Sequence, residues 1–208
     1  SQIAESTKVD ELSELKDVMA FPESVAVVQD ATFDVKLATD HDARVSTAVV
    51  TTLSVLDDNL MPVRKADSRI GLMTTAGQHY DSKEGFKKIR LANRWDLRDG
   101  KKIRVYVDTL MPLSWQKAVG DGLRAWNPAF EKAGLGADVV EVFPYPSDST
   151  FSAFNPAVST VSLCGGGGRE IHARISTDSR TGEIRRFSMS IPGNYLLSLL
   201  FSTSFTIG

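Results

Sequence analysis

Few residues of this 208-residue chain are of types and spacings that do chemistry. The three histidines, His41, His79 and His172, stand apart, and none has a second His or a Cys at the i, i+4 separation that puts two metal ligands on one helix face. Cys164 is the only cysteine, so no internal disulfide forms, and a catalytic thiol would need a His partner that the sequence does not place. Four consecutive glycines, Gly165 to Gly168, resemble a phosphate-binding loop in composition only. No Lys-Ser or Lys-Thr follows them, and no helix start is legible to present its N–H groups. Serines are plentiful, but there is no G-x-S-x-G elbow, and the carboxylate pairs Asp40/Asp42 and Asp57/Asp58 fall in turn-like sequence. The residues alone nominate no catalytic constellation and no metal ligands within the chain.

Composition narrows the classes further. Lys and Arg number 24 against 26 Asp and Glu, a net charge of -2, which gives no global field for nucleic acid. The basic stretch Lys87, Lys88, Arg90 and Arg94 alternates with Phe86, Ile89, Leu91 and Trp95, the pattern of a strand with one solvated face. The longest apolar stretch, Tyr195 to Phe205, is too short for a membrane span and is interrupted by Ser198, Ser202, Thr203 and Ser204. A hydrophobic content of 42% is that of a chain with a real core, enough for one large domain or two small ones.

The elements that would position any site read as follows. Val9, Leu12, Leu15, Val18 and Met19 recur at helical spacing and predict a short amphipathic helix. Ser24 to Ala38 alternates and Ala43 to Leu56 is rich in Val and Thr, which predicts antiparallel strands joined by a turn at Asp40, His41 and Asp42. Gly71 to Tyr80 offers another strand. A turn containing Asp99-Gly100 divides the chain into a β-rich region, 1–100, and a second region, 101–208. There Lys102 to Asp108 predicts a half-buried strand. A helix follows with Trp115, Ala118, Val119, Leu123, Trp126 and Phe130 on one stripe and Ser114 as its cap. Gly120 and Gly122 within that helix imply close approach to a sheet, Pro128 must break or kink it, and Asn127 caps a continuation ending at Gly134. Val139 to Phe143 then completes a strand-helix-strand unit, which favours a parallel pair. Val158 to Leu163 alternates weakly, and 171–176 and 183–191 flank the turn Asp178 to Gly182 as a hairpin. The fold class is α+β: an antiparallel β-rich N-terminal region followed by a mixed sheet.

Several of these segments form an ordered set. Ala66 to Met73, Ile89 to Leu97, Ile103 to Asp108, Gly122 to Gly134 and Asp178 to Ile184 resemble successive landmarks of the large exported bacterial zinc metallopeptidases, in which a β-rich domain precedes a metzincin-like catalytic domain. The resemblance runs from about Val50 onward. It departs from the family at Ser68 and Ser179, where Pro is usual, at Pro128, and across 145–170.

The resemblance implies that the second region is the N-terminal portion of a metzincin-like domain, with a mixed sheet like the upper part of that domain. The strand Phe187, Ser188, Met189, Ser190, Ile191 would be the edge strand at the rim of a peptide-binding cleft. It implies a peptide or protein substrate, zinc in the intact protein but none in this chain, and an extracellular, periplasmic or cell-surface location. No H-E-x-x-H occurs in the 208 residues, so the resemblance makes this chain an inactive fragment preceding that motif. Leu196, Leu197, Leu199, Leu200 and Phe201 would then be an uncovered surface for self-association. The residues alone also permit a non-catalytic peptide- or glycan-binding module.

Overall fold

The computed structural model describes residues 3–37, 42–83, 85–165 and 170–195, with only the backbone at 3, 4, 37 and 79. Contacts divide the chain into two compact units: Ser1–Val55 with Phe154–Pro156, and Leu56–Ala153 with Ala157–Gly208. The turn at Asp99-Gly100, read from the sequence as the division between the two regions, lies inside the second unit. It is a short 3-10 turn, Arg98–Gly100, in which Asp99 takes a left-handed φ of 57°.

The first unit is antiparallel. Its strands are β1 (Ile3–Lys8), β2 (Glu14–Phe21), β3 (Ser24–Leu37) and β4 (Asp42–Ser54). β3 is the spine: it pairs with β4 along nearly its whole length, from Ser24↔Ser54 to Lys36↔Asp42, and on its other side with β2 and then β1. The turn expected at 40–42 lies mostly outside the described residues.

The helix expected over 9–19 is instead a 3-10 turn at Asp10–Leu12 followed by β2. Two causes are visible. The turn is pinned to β3 by Thr32, whose hydroxyl donates to the Leu12 carbonyl (3.0 Å) while its N–H donates to Ser13 Oγ (3.1 Å). The remaining segment gains a full ladder against β3, whereas a helix of that length is marginal on its own. The supposed helical stripe is accordingly solvated, with Leu12, Leu15 and Val18 all exposed.

The second unit holds a two-stranded hairpin, β5 (Thr74–Asp81) and β6 (Gly85–Ala92), and a five-stranded mixed sheet. The sheet comprises β7 (Ile103–Val107), β8 (Val140–Pro144), β9 (Ser159–Cys164), β10 (His172–Thr177) and β11 (Ile184–Pro192), in the order β10-β11-β9-β7-β8. All neighbours are parallel except β10, which runs antiparallel to β11 at the margin. Between β7 and β8 lie helices α1 (Leu113–Arg124) and α2 (Asn127–Lys132), as the strand-helix-strand reading requires.

Alternation sorts the sheet's two faces. Ile103, Val105, Val107, Val140, Val161 and Ile191 form the buried cluster, against which Trp115, Val119, Leu123 and Phe130 of the helices and Phe187 and Met189 of β11 pack. The stripe read from the sequence is therefore the packed one, apart from Ala118 and Trp126, which are exposed. Gly120 is buried where α1 meets β8; a Cβ there would stand 3.7 Å from Val142 and 3.0 Å from the Arg124 guanidinium. Gly122 has open space around it.

Helix ends depart from expectation at the first cap. Pro112, with its φ of -52°, occupies the N-cap, and Ser114 makes no capping bond; Gln116 instead reaches back to the Met111 carbonyl at 2.7 Å. Pro128 falls in the first turn of α2, where its missing N–H costs nothing. Gly134, at φ 76°, ends that helix as predicted.

Candidate peptide-binding edge

A sheet margin exposes a row of backbone donors and acceptors, and proteins either cover it or use it. The two margins of this sheet are treated in opposite ways.

At β8 the margin is closed by side chains. Asn127 accepts from the Val140 N–H (2.8 Å) and donates to the Val140 carbonyl (3.1 Å), and Arg124 donates to the Val142 carbonyl (3.1 Å). The last residue of the strand, Pro144, has no N–H to offer. Asn127, which the sequence offers as a helix cap, is thus spent on the sheet; Trp126 holds the N-cap position. Nothing in the local sequence announces this use, because the partner is 13 residues away.

At β10 no described residue covers the margin. The Phe187 N–H is directed to β9, where it donates to the Ser159 hydroxyl at 3.1 Å. Backbone groups alternate along a strand, so 187, 189 and 191 serve β9 while Arg186, Ser188 and Ser190 serve β10. Opposite them in register are Ser176, Arg174 and His172. The intervening residues, Ala173 and Ile175, therefore point their N–H and C=O groups outward, and no described strand pairs with them. His172, Ala173, Arg174 and Ser176 are exposed.

This geometry corrects the expectation for Phe187, Ser188, Met189, Ser190 and Ile191. That strand is internal, flanked by β10 and β9, so its backbone is consumed on both sides and takes no added strand. The hairpin was legible from its turn; which arm faced outward was not, since β11 gained a parallel partner 28 residues upstream in sequence. Phe187, Met189 and Ile191 belong to the core face, and Ser188 and Ser190 to the polar one.

The hairpin is held rigidly at its turn. Asp178 is buried, and its carboxylate accepts from the Arg180 N–H (2.8 Å), Nε (3.1 Å) and second guanidinium nitrogen (2.7 Å). Those bonds hold the Asp178 carboxyl below the usual carboxylate range. Gly182 adopts φ 79° and lies so close to β6 that a Cβ would sit 2.6 Å from the Ala92 carbonyl oxygen. Arg94 completes the junction, donating its N–H to the Gly182 carbonyl and accepting from Ile184.

The same Asp-x-Arg unit occurs twice more, at Asp67/Arg69 and Asp96/Arg98. Asp96 also receives Lys101 at 2.6 Å, and the bonds from Arg98 first and Lys101 after it outweigh the opposing effect of burial and hold its carboxyl far below the ordinary value. Arg98 and Arg180 extend to the carbonyls of Asn59 and Asp57, and Arg94 to that of Pro62. Three arginines thus tie the irregular 57–62 segment to the body of the unit.

The polar sheet face carries a second cluster. Phe151 packs on Tyr106 and Tyr145, with ring centroids 5.3 and 4.9 Å apart, and the Tyr145 hydroxyl is 2.6 Å from Ser162 Oγ. Arg186 donates to the Ala153 carbonyl there, and burial pulls its guanidinium below the ordinary value. These contacts hold the 145–153 loop against the sheet.

Among the described residues no group of three His, Cys, Asp or Glu comes together in a way that would hold a metal ion. His41 lies outside the described residues, as does the side chain of His79, while His172 is solvated on β10. Gly166 to Gly168 and the apolar residues Leu196, Leu197, Leu199, Leu200 and Phe201 also lie outside them. Cys164 is a free, partly buried thiol at the end of β9. No helix among the described residues is long and apolar enough to cross a membrane, which says nothing of strands.

Residues 2–99, just under half of the chain, match a family model described as a domain of unknown function (DUF5117). No curated protein and no solved structure gives a match.

Proposed function

We propose that the second unit is the peptide-binding part of a zinc-dependent metallopeptidase, and that its β10 margin holds an extended stretch of substrate. The observation that carries this reading is the asymmetry of the sheet: β8 is sealed by Asn127 and Arg124, while Ala173 and Ile175 on β10 are left with outward donors and acceptors. Each added main-chain hydrogen bond contributes about 0.5–1.5 kcal/mol net, so a short extended peptide gains a few kcal/mol before its ordering cost. The antiparallel placement of β10 beside four parallel strands, and the ordered landmarks of the sequence, support the same kinship.

The residues present do not fit a zinc site, since no ligand group converges among the described ones. On this reading the metal-binding helix and its general base are supplied outside these 208 residues, and no chemical step is assigned to the residues in hand. Their work is to bind and align a peptide. A non-catalytic peptide-binding module would use the same margin, and zinc separates the two.

The full-length gene product, purified and dialysed, is expected to retain one equivalent of zinc and to cleave casein, whereas the 208-residue chain does neither. A full-length protein without zinc or peptidase activity would sink the enzymatic reading, and so would zinc-dependent cleavage by the 208 residues alone.

A further inference from the structure

Resting on the reading of β10 as a peptide-binding margin, we infer that Arg174 makes this margin selective for extended segments carrying an acidic side chain opposite it. Arg174 is exposed at the middle of β10 and has no hydrogen bond or ion pair among the described residues. Elsewhere in the described residues, arginine is commonly consumed: Arg44, Arg69, Arg98, Arg104, Arg180 and Arg185 each hold a carboxylate.

The neighbours on the hairpin do not offset the charge. Register places Ser188 directly opposite Arg174, with Arg186 and Ser190 on the diagonals and His172 and Ser176 two residues away on β10 itself. This polar face of the hairpin therefore contains no carboxylate. The nearest acid toward the start of β10 is Glu170, four residues away, or up to about 13 Å of extended chain. That distance exceeds the Debye length of about 8 Å at physiological ionic strength.

A strand added to β10 places alternate side chains on the two faces. One set meets Arg174 and His172; the other meets Ala173 and Ile175, on the core-facing side. The matching ligand alternates acidic with small apolar residues. Arg, with its planar fork, is suited to bidentate pairing with a carboxylate there.

The test is an NMR titration of the 208-residue chain with two capped hexapeptides, one alternating Val with Glu and one alternating Val with Lys. The Glu peptide is expected to bind about threefold to tenfold more tightly, shifting the amides of Ala173 and Ile175. Arg174→Gln should abolish the preference and Arg174→Glu should invert it; both changes are at a solvated position, and amide dispersion reports that the fold is kept. Equal affinities with shifts at Ala173 and Ile175 overturn the charge selection while leaving the margin's role intact. An acidic preference that survives Arg174→Glu overturns the assignment to Arg174. Peptides that leave the β10 amides unmoved overturn the binding margin itself.

Discussion

Replacing Asp178 with Asn keeps the size of the side chain and removes its charge, and the structure sets what that costs. The carboxylate is 3% exposed and is wrapped by Arg180, whose side chain is 38% exposed. Asn can still accept from the Arg180 N–H, but its amide nitrogen must face a guanidinium that has only donors. Breaking a fully buried pair costs about 3–5 kcal/mol. Arg180 is more than a third solvated, so its freed charge recovers hydration, and the expected loss falls to about 2 kcal/mol. For a chain of this size that lowers the melting temperature by about 4–8 °C.

The pH dependence follows from the depressed carboxyl of Asp178. A lowered folded value contributes stability that is fully present above the unfolded value of about 3.9 and is lost as pH falls through the folded one. The gap between wild type and Asp178→Asn should be complete at pH 7 and should close below about pH 4. Urea denaturation across this range measures it, with amide exchange at Thr177 and Ile184 reporting on the hairpin should the two compact units melt separately. A gap under about 0.5 kcal/mol at neutral pH, or one that stays constant into acid, would refute the argument.

Two further predictions concern the same unit. Gly182→Ala should destabilise it by at least about 2 kcal/mol, from left-handed backbone strain and the 2.6 Å approach to the Ala92 carbonyl, while Gly122→Ala, in open space on α1, should stabilise by up to about 1 kcal/mol. Chemical denaturation of both variants checks this, and a common sign would contradict it. Asn127→Ala should cost about 1–3 kcal/mol and strip exchange protection from the Val140 amide, and unchanged protection there would show that Asn127 does not close the β8 margin.

Much of the scaffold could be read residue by residue. Alternation at Ile103, Val105 and Val107, the stripe Trp115, Val119, Leu123 and Phe130, and the turn Asp178 to Gly182 each encode a local structure through periods and turn chemistry that act over a few residues. The stretch 9–19 misleads because its spacing fits a helix, while Thr32, 20 residues beyond Leu12, holds it as turn and strand.

The candidate site was decided by pairing. Asp178 and Gly182 announce a hairpin, but they do not say which arm of it will find a third strand. That choice fell to β9, which took β11 in parallel and left Ala173 and Ile175 at the margin. In the same way, Asn127 reads as a helix residue until Val140 folds against it. Local sequence fixes periodicity because backbone and side-chain geometry repeat within a few residues; it does not fix which margins stay open, because that is settled by strands far apart in the chain competing for the same hydrogen bonds.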